Sequence, residues 1–437
     1  MPGSTASAAG AKPSSQRYNG KEQKDLAGSP LPQAGEKPRD IKLNNRRIVL
    51  GLLARKDRAT LGELAAESAL SRNTVKKCVD FFLQKGLVAD SGKGSSTSEG
   101  GKKPDMFALD RRWGSIASFY CCGTELSGGL YDLTRDCLCE ARENLPAYTP
   151  EAVVAGCRRL LDRMLAESPE RPGPLRWVTC SIHGIVDIHT GTVLSNRQDA
   201  WNGRVPLGDM LREALGAPVS CCNPVRTMLL CEADADPAVA DNSAIVYTNG
   251  PGAMAAIIRR GIVVQGKRCV LGEIAGIPLG FSAHPASDTA LGGDSLGYLV
   301  CRKKLLEEIA SQPVLYQTSG LSELGRQPTL HDIFSAAGLG DKLARAVVRY
   351  AARWFAVSLR QLLFLADPDI IIIQGDYASA GQYFLDTLRQ YVQSYVAPAV
   401  DVIPDIRLSR LGETASCLLG GALIGRGAVF EDDSLYE

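Results

Sequence analysis

The stretch Leu70-Ser71-Arg72-Asn73-Thr74-Val75-Lys76-Lys77-Cys78-Val79-Asp80-Phe81-Phe82-Leu83-Gln84-Lys85-Gly86 has the pattern of one amphipathic helix with a recognisable start and end. Ser71 can cap the first turn, and Gly86 can leave the helix in the left-handed conformation. Apolar residues at helical spacing predict a buried stripe made of Val75, Cys78, Val79, Phe82 and Leu83. The opposite face carries, near its amino end, Arg72, Asn73, Lys76 and Lys77. Because a helix-turn-helix protein inserts this end into the major groove, the stretch predicts a DNA-reading helix.

The segments on either side predict a winged helix-turn-helix domain. Residues 44–54 predict a first helix, and Thr60-Leu61-Gly62-Glu63 has the capping-box arrangement that opens a second one. Residues 87–90 and 102–109 predict the two strands of a wing around a Gly/Ser-rich loop. We expect residues 41–110 to form this domain and to bind double-stranded DNA. The residues expected to contact DNA are Ser71, Arg72, Asn73, Thr74, Lys76, Lys77, Lys93, Lys102 and Lys103.

The distribution of charge supports a nucleic-acid module at this end of the chain. Residues 41–104 contain thirteen Lys and Arg against six Asp and Glu, a surplus of +7, although the whole chain carries only +1. The remaining sequence is therefore mildly acidic. This asymmetry favours a basic DNA-binding module joined to a second part with another role.

Composition excludes several classes of protein. Residues 1–40 are rich in Ser, Ala, Gly, Pro and Lys and lack an apolar core, which predicts a disordered tail rather than a secretory signal. No run of about 18 apolar residues occurs, so we expect no membrane partner. Most of the thirteen cysteines lie in apolar runs, and we expect reduced core thiols in a cytoplasmic protein.

Beyond Trp113, short apolar runs alternate with helical stretches, a pattern that predicts α/β architecture. We expect one lobe over residues 111–240 and a second over 241–427, with the last helix returning to the first lobe and a tail over 428–437. Glycines follow several predicted strands, at the turns where such folds bind ligands. The predicted strands cover residues 116–122, 127–133, 177–182, 244–248, 253–258 and 370–373, and the longest predicted helices cover 150–166 and 342–365.

Motifs over most of the chain resemble the ROK family of bacterial repressors and sugar kinases. They include Gly86-Leu87-Val88 and Gly100-Gly101-Lys102-Lys103-Pro104 in the basic module, and Gly184-Ile185-Val186-Asp187, Gly272-Glu273-Ile274, Gly412-Glu413 and Gly420-Gly421-Ala422 beyond it. The resemblance implies an actin/hexokinase-like pair of lobes with a cleft between them. Because the kinases of that family lack the basic module, it also implies a transcriptional regulator, most simply a repressor. Such a regulator would bind a palindromic operator as a homodimer or a dimer of dimers.

The departures from the family pattern argue against an enzyme. The family's Asn-Asp pair, whose aspartate is the general base, reads Asn223-Pro224 here, and proline cannot accept a proton. The first phosphate loop reads Tyr120-Cys121-Cys122-Gly123-Thr124, without the family's acid and one of its glycines. Gly276 replaces the histidine of the family's zinc site, and residues 284–294 contain no cysteine. We therefore expect no catalytic residues, no cofactor and no metal ion.

The remaining polar residues of the cleft suggest an effector site. Asn196, Asn223 and Glu273 are candidates for binding a sugar-like small molecule, although a turn carboxylate satisfied by backbone amides explains Glu273 equally well. His183 and His189 are expected to be packing or surface residues. Two alternatives stay open at this point: an effector other than a sugar, and no effector at all. A carbohydrate kinase with a fused regulatory DNA-binding domain, and a module that binds only protein partners, are the competing hypotheses.

Overall fold

The computed structural model describes residues 38–94, 103–168, 172–196, 201, 203–280, 294–397 and 399–437. The predicted amino-terminal tail therefore lies almost wholly outside the described residues. Within the described ranges, no helix is both long and apolar enough to cross a membrane.

The amino-terminal unit is a winged helix-turn-helix, as predicted. Its elements are α1 (Pro38–Arg55), β1 (Ala59–Thr60), α2 (Leu61–Ser68), α3 (Arg72–Gln84), β2 (Val88–Lys93) and β3 (Asp105–Leu109). The strands form one antiparallel sheet in the order β1-β3-β2. Two details differ from the prediction: α1 begins six residues before residue 44, and β1 adds a short third strand to the wing.

Local chemistry fixes the ends of the two central helices. Thr60 and Glu63 form the predicted capping box, in which the Thr60 amide donates to Glu63 Oε2 at 2.7 Å and the Glu63 amide donates to Thr60 Oγ1 at 3.2 Å. Ser71 caps α3 by accepting a hydrogen bond from the amide of Thr74 at 3.1 Å. Gly86 leaves the helix with φ +68°, a conformation that favours glycine. The predicted stripe of α3 is buried, except that Leu83 is half-buried.

The first lobe contains a five-stranded sheet in the order β10-β7-β4-β5-β6. β4, β5 and β6 are antiparallel neighbours, whereas β7 and β10 run parallel to β4. The elements are β4 (Ser115–Cys122), β5 (Glu125–Asp132), β6 (Cys137–Asn144), α4 (Pro150–Glu167), β7 (Leu175–Ile182), β8 (Ile185–Asp187), β9 (Thr192–Ser195), α5 (Leu207–Leu215), β10 (Val219–Cys222), α6 (Pro224–Ala235) and α7 (Pro237–Asp241).

The second lobe repeats this topology, with the strand order β13-β12-β11-β14-β15. Its first three strands are antiparallel neighbours, and β14 and β15 run parallel to β11. The elements are β11 (Asn242–Asn249), β12 (Gly252–Arg259), β13 (Ile262–Val263), α8 (Leu296–Val300), α9 (Arg302–Ala310), α10 (Pro313–Gln317), α11 (Leu330–Gly338), α12 (Lys342–Ala366), β14 (Ile370–Gly375), α13 (Gly381–Val396), β15 (Asp405–Leu408) and α14 (Glu413–Glu431). The prediction of two α/β lobes is thereby confirmed.

Helix α14 lies against the first lobe although it follows the second in sequence. Gly421 is closely approached by Ser118 of β4, Gly425 by Ile116 of the same strand, and Gly420 by the backbone of α6. Any side chain at these glycines would collide with those neighbours, so the small residues permit the close packing. Helix α14 therefore runs from the cleft towards the DNA-binding unit.

The last residues of the chain pack against the DNA-binding unit. The sequence predicts a tail over 428–437, but α14 continues to Glu431, and Leu435 and Tyr436 are only 6% and 2% exposed. Arg46 of α1 donates a hydrogen bond to the carbonyl of Tyr436. The tail prediction is therefore wrong, because these two apolar residues find a buried surface that is distant in sequence.

Candidate DNA interface and interlobe cleft

The amino end of α3 presents three exposed polar side chains. Arg72, Asn73 and Lys77 are exposed, and their side chains make no hydrogen bond or ion pair with any other described residue. Thr74 lies beside them, with Oγ1 2.8 Å from Ser71 Oγ. A positive, hydrogen-bonding helix end of this kind has the chemistry that contacts base edges and phosphates.

Two of the lysines predicted to contact DNA are engaged within the protein. Lys76 Nζ lies 2.7 Å from Asp80 Oδ2, one turn further along α3. Lys93, at the end of β2, pairs with Asp105 at the start of β3. Both lysines remain at least half exposed, so phosphate can compete for them. Lys103 is exposed, and Lys102 lies outside the described residues.

Part of the basic surplus of this unit serves internal packing rather than DNA. The Arg46 guanidinium carbon stands 3.2 Å from the centroid of the Phe81 ring, and Arg47 pairs with Asp433. Lys85 Nζ donates to the carbonyls of Ser434 and Leu435 at 3.0 and 3.1 Å. These contacts hold the carboxyl terminus against the inner side of α3, which composition alone could not reveal.

The cleft is lined by a hydrogen-bonded cluster where the first phosphate loop of a kinase would lie. Tyr120 of β4 donates to Glu413 Oε1, and Tyr247 of β11 donates to the same oxygen at 2.9 Å. Nε2 of His183, in the turn after β7, lies 3.0 Å from the Tyr120 hydroxyl. Asn249 Nδ2 donates to the Tyr247 hydroxyl at 2.8 Å. We call these five residues the cleft cluster.

Burial sets the protonation of the cleft cluster. Desolvation lowers the pKa of His183 to about 4, so the imidazole is neutral near pH 7. Desolvation also raises the pKa of Tyr120 and of Tyr247, which keeps both hydroxyls protonated as donors. In the cluster, two protonated hydroxyls therefore donate to one acceptor, Oε1 of Glu413.

The turn between β11 and β12, which carries Gly250 and Gly252 and resembles the family's second phosphate loop, is also occupied by the protein itself. The amide of Gly250 donates to Asp376 Oδ2 at 2.8 Å. Burial raises the pKa of Asp376, and this hydrogen bond opposes the rise. An amide that would bind a phosphate therefore already donates to a carboxyl group, and a nucleotide would have to displace Asp376.

Of the three predicted effector residues, Asn223 alone lines the cavity that the described residues form between the lobes. A cavity between the lobes is lined by Asn223, and it includes neither Asn196 nor Glu273. Asn196 is buried and donates to the Tyr148 hydroxyl at 2.7 Å, which is a structural role. Glu273 precedes a short 3-10 helix at Ile274–Gly276.

Besides the predicted Asn223, the cavity contains two polar residues that the sequence analysis does not identify, Arg226 and Gln265. Asn223 occupies the N-cap position of α6, but its side chain makes no capping hydrogen bond. Its Oδ1 is buried without a partner among the described residues. Arg226, one turn later, and Gln265 also line the cavity. The spacing from Asn223 to Arg226 on one helix face is the signal that could have identified the arginine.

The structure also places the residues that bear on catalysis and metal binding. Pro224, at the position of the family's base, is the buried first residue of α6. Gly276 ends the 3-10 helix, and the cysteine-free segment that follows it lies mostly in residues 281–293, outside the described part of the chain. His183, expected to be a packing or surface residue, packs against the rings of Tyr120 and Tyr247 within the cleft cluster.

Comparisons with known proteins agree with this architecture. A family model described as ROK family matches residues 121–426, and one described as winged helix-turn-helix DNA-binding matches residues 43–89. The chain is 20% identical to the xylose repressor of Bacillus spizizenii over 86% of this chain and 94% of that protein. It is 24% identical to a glucokinase of Halalkalibacterium halodurans over 60% of this chain and 80% of that protein. A solved ROK family transcriptional regulator, a homolog of E. coli MLC, superposes with a TM-score of 0.74 at 20% identity, covering 91% of this chain and 98% of that chain.

Proposed function

Because the chain belongs to the ROK family, we propose that it is a transcriptional repressor that binds double-stranded DNA through α3 and the wing. The observation that carries this proposal is the exposed, unengaged set of Arg72, Asn73 and Lys77 at the amino end of a rigidly packed helix. The alignment with the xylose repressor extends over 94% of that protein's length, which supports the proposal. The proposed role implies a cytoplasmic protein.

We assign the DNA-binding domain to residues 41–110, the first lobe to 111–240 and the second lobe to 241–427. A homodimer, or a dimer of dimers, would present two copies of α3 to two half-sites of a palindromic operator. Phe364 and Leu365 of α12 are 51% and 84% exposed and offer apolar surface for a second copy. Light scattering of the full chain tests this assembly.

The state of the cleft supports a regulator rather than a kinase. Phosphoryl transfer needs a positioned nucleotide and a base near the accepting hydroxyl. Here the first phosphate loop is blocked by side chains of Tyr120, Tyr247 and Glu413. The amide of Gly250 in the second phosphate loop already donates to Asp376. Pro224 lies at the position of the family's general base. The likeness to a glucokinase is then a likeness of fold.

The Asn223 cavity is the proposed effector site. A ligand with hydroxyl groups would satisfy the buried Asn223 Oδ1 and find donors on Arg226 and Gln265. A pentose or hexose has this chemistry, and the likeness to a xylose repressor makes a sugar the first candidate. The cavity has a volume of about 30 Å³ in this structure, so the lobes would have to separate to admit a sugar. Asn196 and Glu273 remain outside this site.

Helix α14 connects the cleft to the DNA-binding unit, so a change in the cleft could alter DNA binding through it. It begins at Glu413 in the cleft cluster and leads to Tyr436, which packs on α3. A ligand that alters closure of the lobes would displace α14 and with it the carboxyl terminus, changing the spacing of two recognition helices in a dimer. Operator affinity would then depend on the ligand.

Recovery of genomic DNA fragments on the full chain tests the proposed function. We expect a small number of enriched fragments that share an inverted repeat, and retention that falls as salt rises. Absence of any enriched sequence at low salt would exclude an operator-binding regulator and favour a module that binds protein partners only. The genes beside the enriched fragments would indicate the effector.

A further inference from the structure

Three side chains with metal-binding atoms meet at the floor of the cleft. Cys122 ends β4, His183 follows β7, and Glu413 begins α14. One ligand atom from each lies within 4.8 Å of the other two, and no other group of three such residues does so in the described part of the chain. All three residues are half-buried, and the surface that remains exposed gives an ion access from the cleft.

The three groups form a chemically coherent ligand set. Thiolate, imidazole and carboxylate together are the donors that zinc takes in proteins, usually with tetrahedral geometry. Calcium and magnesium prefer oxygen donors alone, so the sulfur and nitrogen select against them. Three protein ligands leave a fourth position for water or for an external ligand.

Neighbouring groups already orient the three ligands. Tyr247 donates to Glu413 at 2.9 Å and stacks on the His183 ring with centroids 5.9 Å apart. Asn249 Nδ2 lies 3.8 Å from Cys122 Sγ while it also donates to Tyr247. Supporting hydrogen bonds of this kind fix the direction of ligand atoms and raise metal affinity. The Tyr120 hydroxyl, now between His183 and Glu413, is the group that an ion would displace.

We propose that Cys122, His183 and Glu413 bind one divalent ion of the zinc class in the cleft. The site differs from the family's zinc position, which the sequence places around Gly276 and the loop after it. Binding would release the thiol proton of Cys122 to solvent and leave the thiolate on the ion. The proposal is independent of the DNA-binding role, since it concerns ion binding alone.

Cobalt(II) titration of the chelator-treated full chain tests the site. Cobalt replaces zinc in tetrahedral sites and gives a near-ultraviolet band when a thiolate binds it. We expect about one equivalent per chain, with a thiolate band that disappears in Cys122→Ser. The matched control is Cys137→Ser, which changes an exposed cysteine on β6 and should keep the band. Glu413→Gln should weaken cobalt binding by at least about tenfold.

The same titration can overturn the proposal. Absence of a thiolate band in the parent chain, or a band that persists in Cys122→Ser, would exclude Cys122 as a ligand. Far-ultraviolet circular dichroism of each variant verifies that it is folded. If Cys122→Ser fails to fold, the Glu413→Gln titration decides, and unchanged cobalt affinity there would refute the site.

Discussion

The ring of Phe82, on the inner side of α3, meets the ring of Tyr436, the penultimate residue of the chain, with centroids 6.3 Å apart and planes at 81°. Edge-to-face packing of two buried aromatic rings contributes stabilising free energy in addition to that gained by burying their surface area. Because α14 leads directly to Tyr436 from Glu413 in the cleft, this contact joins the two parts of the protein through one helix.

Tyr436→Ala should loosen the DNA-binding unit. The substitution leaves a cavity beside Phe82, and removal of a buried aromatic ring costs about 3–5 kcal/mol. We expect a lower midpoint for the first transition in guanidinium unfolding, together with faster proteolysis near residue 110. Tyr436→Phe keeps the ring and loses only the hydrogen bond to the Phe430 carbonyl, so it should cost about 1 kcal/mol. Equal stability of the two variants would contradict an anchoring role for the ring.

Asp80→Ala should strengthen non-specific DNA binding. The change frees Lys76 from its ion pair, while the exposed pair itself contributes little to stability. One additional phosphate contact would steepen the slope of log affinity against log salt by about 0.9. Fluorescence anisotropy with a random duplex over a salt series measures this slope.

Asp162→Ala is the matched control, since Asp162 forms the corresponding pair with Arg158 on α4 of the first lobe. That variant should bind DNA like the parent chain. An unchanged slope in Asp80→Ala would mean that Lys76 does not approach phosphate.

The DNA-binding unit is predictable from sequence because its signals are local. The caps at Thr60 and Ser71 and the exit at Gly86 are each defined within a few residues. The anchoring of the carboxyl terminus is not predictable in this way. Phe82 and Tyr436 lie at opposite ends of the sequence, and no periodicity connects them.

The cleft is only partly predictable for the same reason. The loss of the base at Pro224 is visible in the sequence, since it replaces one residue in a short motif. The cleft cluster draws on residues from both lobes and from α14, which only the duplicated topology brings together. Asn196 does not line the Asn223 cavity, and its amide donates to the Tyr148 hydroxyl.

Pro224→Asp should not create a sugar kinase. The change restores a carboxylate at the position of the base, but the phosphate regions remain filled by Tyr120, Glu413 and Asp376. We expect no phosphoryl transfer from ATP to glucose, xylose or amino sugars in either the parent or the variant, measured with labelled ATP. Turnover by the parent chain would instead support a kinase with a fused regulatory domain.

Asn223→Ala should weaken effector binding. The substitution removes the buried Oδ1 that a ligand hydroxyl would satisfy, which costs about 1–3 kcal/mol, or about fivefold to 150-fold in affinity. Isothermal titration with xylose and glucose, as the first sugars of a panel, measures the loss. Asn144→Ala, at an exposed position on β6, is the control and should leave affinity unchanged. Equal sugar affinities of the two variants would show that Asn223 does not belong to the effector site.

The most direct test of the central claim is retention of a recovered genomic fragment by the Arg72→Ala/Lys77→Ala double variant. We expect specific binding to fall by at least about 100-fold, since base and phosphate contacts are lost together, while circular dichroism stays unchanged. Lys303→Ala/Arg353→Ala, which removes the same charge from exposed positions of the second lobe, should bind like the parent chain. Equal retention by the parent and the Arg72/Lys77 variant would contradict the assignment of α3 as the DNA-reading helix.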